Sequence, residues 1–385
     1  MDVTAKGSAN LPGQREFWNG RRVFITGHTG FKGSWLVRWL YNAGALIEGY
    51  SLAPPSQPNL FESAGVSSFV NHNHGDIVDA ETLDALVSTF KPEIIFHLAA
   101  QPLVRLSYDE PKQTFSTNVM GTLNLLQSAH NAGVKAFVNV TTDKCYENKE
   151  WIWAYRENEP LGGHDPYSAS KACAEILTNS FRLSYLDQKG AMRLASVRAG
   201  NVIGGGDWGL DRLVPGMMSA FSKGETANIR NPVAVRPWQH VLDALCGYLI
   251  LGEKLLGDDG DIYAQAWNFG PDSTSQQTVG ALAIKLQKLW GDGASLDMAK
   301  LVEGVHEAKF LNLDSTKARA QLGWKPHWNF DTVLTKTVEW YRVFYAQTIP
   351  VNQDRIRDLM DEQITDYVAA RTDKMFEATR GDIAV

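Results

Sequence analysis

The sequence predicts an α/β fold: a doubly wound parallel sheet of Rossmann type with a second, smaller C-terminal lobe. Three observations predict it. A β-branched run, Val23-Phe-Ile-Thr26, passes through three glycines, Gly27, Gly30 and Gly33, into an amphipathic stretch over residues 34–43, the pattern of strand, tight turn and helix. Apolar runs and helical stretches then alternate up to about residue 200, as parallel strands joined by crossover helices do. Beyond that point the pattern changes to Gly-rich loops, shorter elements and clustered Trp.

In chain order, residues 1–20 are polar with Gly and Pro and are expected to form an irregular arm. Residues 21–200 carry the dinucleotide-binding pattern. Strands are expected over 23–26, 46–51, 93–98, 136–141 and 194–199, with a further one ahead of Asp76, and helices over 34–43, 80–90, 118–132 and 167–185. Residues 201–350 are expected to form mainly a substrate-binding lobe, rich in Trp as in Val202-Ile-Gly-Gly-Gly-Asp-Trp208 and Val235-Arg-Pro-Trp238. The helical stretch 241–248 is expected to return to the sheet. Residues 351–385 make a charged tail, helical around 354–369.

At 385 residues and 44% hydrophobic content, the chain can bury a substantial core. A formal charge of -6 argues against nucleic-acid or anionic-membrane partners, and leaves a small anionic ligand as the expected one. Cys145, Cys173 and Cys246 are too few and scattered for a disulfide framework or a metal site, so no metal is expected and a reducing compartment fits. The N-terminus lacks a signal-peptide core, and the longest apolar run, 242–251, is too short to span a bilayer. A cytoplasmic protein is expected.

Gly27, Gly30 and Gly33, with Thr29, Phe31 and Lys32 in the same turn, clear side chains from where a pyrophosphate approaches a helix N-terminus. Asp76 and Ile77 are expected at the adenine edge. The run His97-Leu98-Ala99-Ala100-Gln101 would end the fourth strand beside the cofactor. The second strand ends Gly49-Tyr50-Ser51, without the carboxylate that usually holds the ribose of NAD. Lys32 and Arg38 are nearby cations that could attract the extra phosphate of NADP, so the residues alone leave that choice open. Downstream, Tyr167 and Lys171 in Asp165-Pro-Tyr-Ser-Ala-Ser-Lys171 are four apart on a helix, which sets an ammonium near a phenol and favours its ionised form. A dinucleotide cradle plus a proton-transfer pair means oxidoreductase chemistry.

Longer strings sharpen this. Gly27-His-Thr-Gly-Phe-Lys-Gly-Ser-Trp35, Thr141-Thr-Asp-Lys-Cys-Tyr146, Arg198-Ala-Gly-Asn-Val-Ile-Gly-Gly-Gly-Asp-Trp208 and Arg236-Pro-Trp-Gln-His240 make the chain resemble the extended short-chain dehydrogenase/reductases, and within them the nucleotide-sugar 4,6-dehydratases, over residues 20–345. The similarity is strongest to the branch acting on CDP-D-glucose. It implies a tightly held NAD regenerated in each turnover, a product, CDP-4-keto-6-deoxyglucose, that feeds deoxysugars for surface polysaccharide, and a homodimer or homotetramer, the dimer built through helices 118–132 and 167–185. It implies that Tyr167, beside Lys171, takes the proton of the carbon-4 hydroxyl, that Thr142 bonds that hydroxyl, and that Asp143 is the acid expelling the carbon-6 hydroxyl. Relatives acting on dTDP-glucose have Thr-Asp-Glu and use the glutamate as carbon-5 base. This chain has Thr142-Asp143-Lys144, so Lys144 is either a desolvated neutral base or a charged stabiliser of the enolate. The resemblance further implies that Asn118 steadies the catalytic helix, and that Gln101, Asn201, Arg212, Arg236 and His306 meet the sugar nucleotide, the arginines through the diphosphate.

Overall fold

The structure, a computed structural model, describes residues 15–186, 191–272, 275–298, 310–348 and 350–381; His306 lies outside them. Its main sheet uses β1 (Arg22–Thr26), β2 (Leu46–Ser51), β3 (Asn71–His74), β4 (Ile94–His97), β5 (Ala136–Val140) and β6 (Arg193–Ala199). Past residue 200 come β7 (Asn201–Ile203), β8 (Thr226–Asn228), β9 (Val235–His240), β10 (Ala266–Phe269), β11 (Gln276–Thr278) and β12 (Ser295–Asp297). The seven-stranded order is β10-β6-β5-β4-β1-β2-β3, with every neighbouring pair parallel. Strand order reverses between β1 and β4, and open sheets of this kind bind ligands at the carboxyl ends of strands beside such a switch.

Alternation along the strands divides the core between the two faces. Val23, Ile25, Ile94, Phe96 and Val138 join one apolar cluster with the helices Phe31–Asn42, Val241–Leu256 and Phe330–Tyr345. Phe24, Ile95, Phe137 and Leu194 join the other with the helices Ala80–Phe90, Thr122–Asn131 and Pro166–Tyr185. Two smaller sheets, β11-β9-β7 and β12-β8, are built from strands beyond residue 200.

Several expectations are revised. Arg15–Trp18 is a helical turn, because Trp18 is fully buried and its indole donates to Glu253 at 2.8 Å. The stretch 118–132 is divided: a π-helical turn over Ser116–Gly121 precedes the helix Thr122–Asn131. The tail is the helix Gln353–Gly381, whose Ile356, Met360, Ile364 and Tyr367 are buried. Among the described residues no helix is long and apolar enough to cross a membrane.

Candidate active site

Three segments meet at the carboxyl edge of the sheet. After β1, Gly27 takes φ +74°, and a Cβ there would lie 2.6 Å from Ala99 N, so the turn packs against the Leu98–Ala99 backbone. Gly33 is tighter still, its Cβ position being 2.2 Å from Gly27 O. At Gly30 the nearest atom to a Cβ is at 3.4 Å, and the helix Phe31–Asn42 starts there with no side-chain cap. An open glycine at an uncapped helix start fits a dinucleotide pyrophosphate. Thr29 instead bonds Ser51 Oγ at 2.8 Å and Leu52 O at 2.9 Å, joining the turn to the end of β2. Arg38 pairs with Asp361 of the tail helix, and Lys32 faces Asp143 and Arg212, so neither is placed to receive the extra phosphate of NADP at the end of β2. Asp76 follows β3 and bonds Val78 N at 3.1 Å, while Ile77 is buried under the sheet's other face.

The second segment follows β5. Thr142 caps the 3-10 turn Asp143–Cys145 by accepting from Lys144 N at 3.3 Å, and its hydroxyl donates to Asp143 Oδ1 at 3.0 Å. Asp143 is 4% exposed. Burial raises its carboxyl above the ordinary range, outweighing Lys144, the Thr142 hydrogen bond, Arg236 and Lys32, which pull it down. Lys144 is exposed, outside the closed setting that the neutral-base alternative supposes.

The third segment is the helix Pro166–Tyr185. It begins where a Pro occupies its first position and Asp165 accepts from Ser168 N at 2.9 Å, a strong start signal. This sets Tyr167 in the first turn, with Thr142 near its phenol, and Lys171 one turn on. The pair differs from expectation in one respect. Lys171 Nζ donates to Val140 O at 3.0 Å, and burial pushes the Tyr167 phenol up to about 12 against the opposing effects of Thr142 and Arg212. A lysine four residues away does not offset the loss of water around this buried phenol.

Asn118 holds this arrangement from behind. It accepts from Gln101 N at 2.9 Å and donates to Gln101 O at 3.1 Å and to Ser170 Oγ at 2.8 Å, bridging the strand-end loop to the catalytic helix. Gln101 directs its own amide to Leu103 O and Thr114, within its loop. Ala100 lies half-buried beside it. From the second lobe, Arg212 pairs with Asp207 at 2.7 Å and acts on Tyr167, and Arg236 acts on Asp143. Gly200 brings Asn201 alongside, since a Cβ on Gly200 would sit 3.0 Å from Asp143 Oδ2. Trp238 and Trp267 are core, and Trp208 packs on Trp340 and Phe344.

Sequence reasoning missed Asp207, Glu175 and Arg198. Glu175 had a visible signal, since it stands four residues beyond Lys171.

Residues 24–337 match the family model for GDP-mannose 4,6 dehydratase. The chain belongs to that family. Within it and its surroundings, the chain is 47% identical to a CDP-glucose 4,6-dehydratase of Salmonella typhimurium, over 93% of this chain and 99% of the relative. It is 28% identical to a UDP-glucose 4-epimerase of Mycolicibacterium smegmatis, over 83% and 98%. A crystal structure of a dTDP-glucose 4,6-dehydratase from Streptomyces venezuelae, with NAD and TYD bound, superposes with a TM-score of 0.72 at 27% identity, covering 86% of this chain and 100% of that one. The fold is thus shared over the full length of that dehydratase chain.

Proposed function

We propose that this chain is a CDP-glucose 4,6-dehydratase, converting CDP-D-glucose to CDP-4-keto-6-deoxy-D-glucose and water with NAD as its resident cofactor. One observation carries the reading: Tyr167, Thr142 and Asp143 stand together beside the glycine turn, with Thr142 bonded to Asp143 at 3.0 Å. Oxidation at carbon 4 needs a base; expelling the carbon-6 hydroxyl needs, in addition, an acid. A buried carboxyl held above its usual range is that acid. Cytosine is favoured by the 47% relative in Salmonella typhimurium.

Bound at Gly27, Gly30 and Gly33, NAD would supply a reversible store for the hydride that leaves carbon 4 and returns at carbon 6, and a positively charged ring. The chain supplies the rest. Tyr167 takes the carbon-4 hydroxyl proton, with Thr142 holding the same oxygen. Thr142 owns one proton, so it cannot donate to Tyr167 and Asp143 together. With that proton turned toward the carbon-4 oxygen or Tyr167, Asp143 keeps its bond to Thr142 as a protonated donor, and that is the form needed for water loss. The carbon-5 proton passes to a base, and Lys144, at the position where the dTDP-glucose relatives carry glutamate, is that base or stabilises the resulting enolate. Asn201, Arg212 and Arg236 receive the nucleotide diphosphate, with guanidinium forks suited to phosphate.

The assembly is a homodimer: Ile176 and Leu183, 56% and 68% exposed, form an apolar stripe seven residues apart on the catalytic helix, with Met120 exposed on the neighbouring turn. The enzyme works in the cytoplasm, consistent with three free cysteines. Its product supplies deoxysugars for surface polysaccharide such as O-antigen.

Incubation of the purified protein with NAD and CDP-D-glucose, followed by mass spectrometry and NMR, tests the proposal. A keto sugar lacking one water is expected. Recovery of the carbon-4 epimer would establish an epimerase instead, and no turnover despite bound NAD would refute both.

A further inference from the structure

Beneath the reacting pair lies a buried ion pair that the chemistry above leaves unused. Glu175, 2% exposed, stands one helical turn beyond Lys171 on the same face. Its carboxylate accepts from Arg198 Nη2 at 2.8 Å, Ser196 Oγ at 2.7 Å and Thr141 Oγ1. Arg198, on β6, also donates to Tyr146 OH at 2.7 Å and Glu157 O at 3.0 Å, and its guanidinium lies 4.9 Å from the Tyr146 ring centre. Tyr146 OH continues to Asn268 Oδ1 on β10 at 2.8 Å. The network thus links β5, β6 and β10 to the catalytic helix. Apolar side chains of similar volume could fill such a place without desolvating two full charges, so a buried pair points to a use for charge.

We propose that Glu175, fixed by Arg198, is a positioning residue that keeps the buried Lys171 amine in its charged form. The proposal rests on the reading of Lys171 as a member of the reacting pair. The hydrogen bond that Lys171 makes to Val140 O favours the charged amine but brings no countercharge. Around the amine stand Glu175 from its own helix, Cys145 from the 3-10 turn, Lys32 from the first turn of the helix Phe31–Asn42 and His97 from β4. Burial brings Lys171 down to about 8; Glu175 is the foremost group working the other way, followed by Cys145. His97 adds no charge, because burial and Lys171 hold its ring at about 3. Burial also opposes the charge of Glu175, but Arg198 and the two hydroxyls outweigh it and keep that carboxyl below its ordinary value. Removal of the Glu175 charge therefore moves the Lys171 amine further down, toward the neutral form at physiological pH.

The test is a titration of ligand-free full-length protein carrying lysine enriched with carbon-13 at Cε, the Lys171 resonance being identified by its loss in Lys171→Met. In the double variant Glu175→Gln/Arg198→Gln, which removes both charges and retains amides, the midpoint is expected to fall by about one pH unit. Glu175→Asp, which keeps the charge, is expected to restore it. Glu175→Gln alone is a second variant with the same expected direction. In turnover, the alkaline limb of kcat/KM should move down with the midpoint while KM stays within about twofold. A midpoint equal to the parent's in a natively folded variant overturns the proposal. If the parent protein fails to turn over CDP-D-glucose, the functional reading falls, while the titration still decides the role of Glu175.

Discussion

A single proton on Thr142 couples the two reacting side chains, and this makes their replacements distinguishable. Tyr167→Phe is expected to suppress the first oxidation by about 10²–10⁴-fold, seen as loss of the transient reduced-nicotinamide absorbance. Asp143→Asn should leave that oxidation within a few-fold and slow water loss by about 10²–10⁴-fold, so that rapid-quench mass spectrometry finds the keto sugar still holding its carbon-6 hydroxyl. Deprotonation of Lys171, whose amine is lowered to about 8, is expected to show as an alkaline limb in a measured pH–rate profile. Lys32 gives a stability counterpart. Burial, aided by Arg212, lowers its amine from 10.5 to about 8, so the folded protein holds a disfavoured charge below pH 8, and the penalty fades as pH rises from 8 to 10.5. Lys32→Met is thus expected to stabilise the protein at pH 7 by about 1–2 kcal/mol after allowance for its partial exposure, with the gain shrinking above pH 8. Calorimetry across that range checks it.

At the scale of elements, the cofactor turn depends on backbone contact. Gly33→Ala would place a methyl 2.2 Å from Gly27 O and is expected to weaken NAD binding about a hundredfold, roughly 2.7 kcal/mol, measurable by titration calorimetry. The buried strands of this half are readable because β1 and β4 carry continuous apolar runs, and β5 is apolar but for Asn139. β3 is betrayed only by the Asp76-Ile77 pair beyond it, since Asn71-His-Asn-His is polar and mostly exposed at the sheet's edge, where hydrophobic patterning has nothing to report. β10 is not readable at all: four residues, far along the chain, acquire their meaning only from pairing with β6. In the candidate site, motif residues such as Tyr167, Lys171 and Asp143 are evident in the sequence. The Lys171 bond to Val140, the exposure of Lys144 and the Arg38–Asp361 pair depend on tertiary placement that spacing does not encode.

For the whole molecule, the apolar stripe on the catalytic helix predicts the assembly. Ile176→Glu with Leu183→Glu should yield a particle of one 42.7 kDa chain in light scattering, where the parent gives a multiple of that mass. The tail helix braces the opposite face: Tyr367 OH meets Asp243 at 2.6 Å and Trp39 packs on its ring, so the last described helix supports the cofactor-binding helix from outside. The placement of β10 carries a consequence for biosynthesis. Six strands of the main sheet have left the ribosome by Ala199, yet the strand that covers the flank of β6 ends at Phe269. For the interval in which some seventy residues are translated, roughly several seconds, the nascent sheet presents an unpaired flank of backbone amides and carbonyls, and that interval is when trigger-type chaperones would have most to protect.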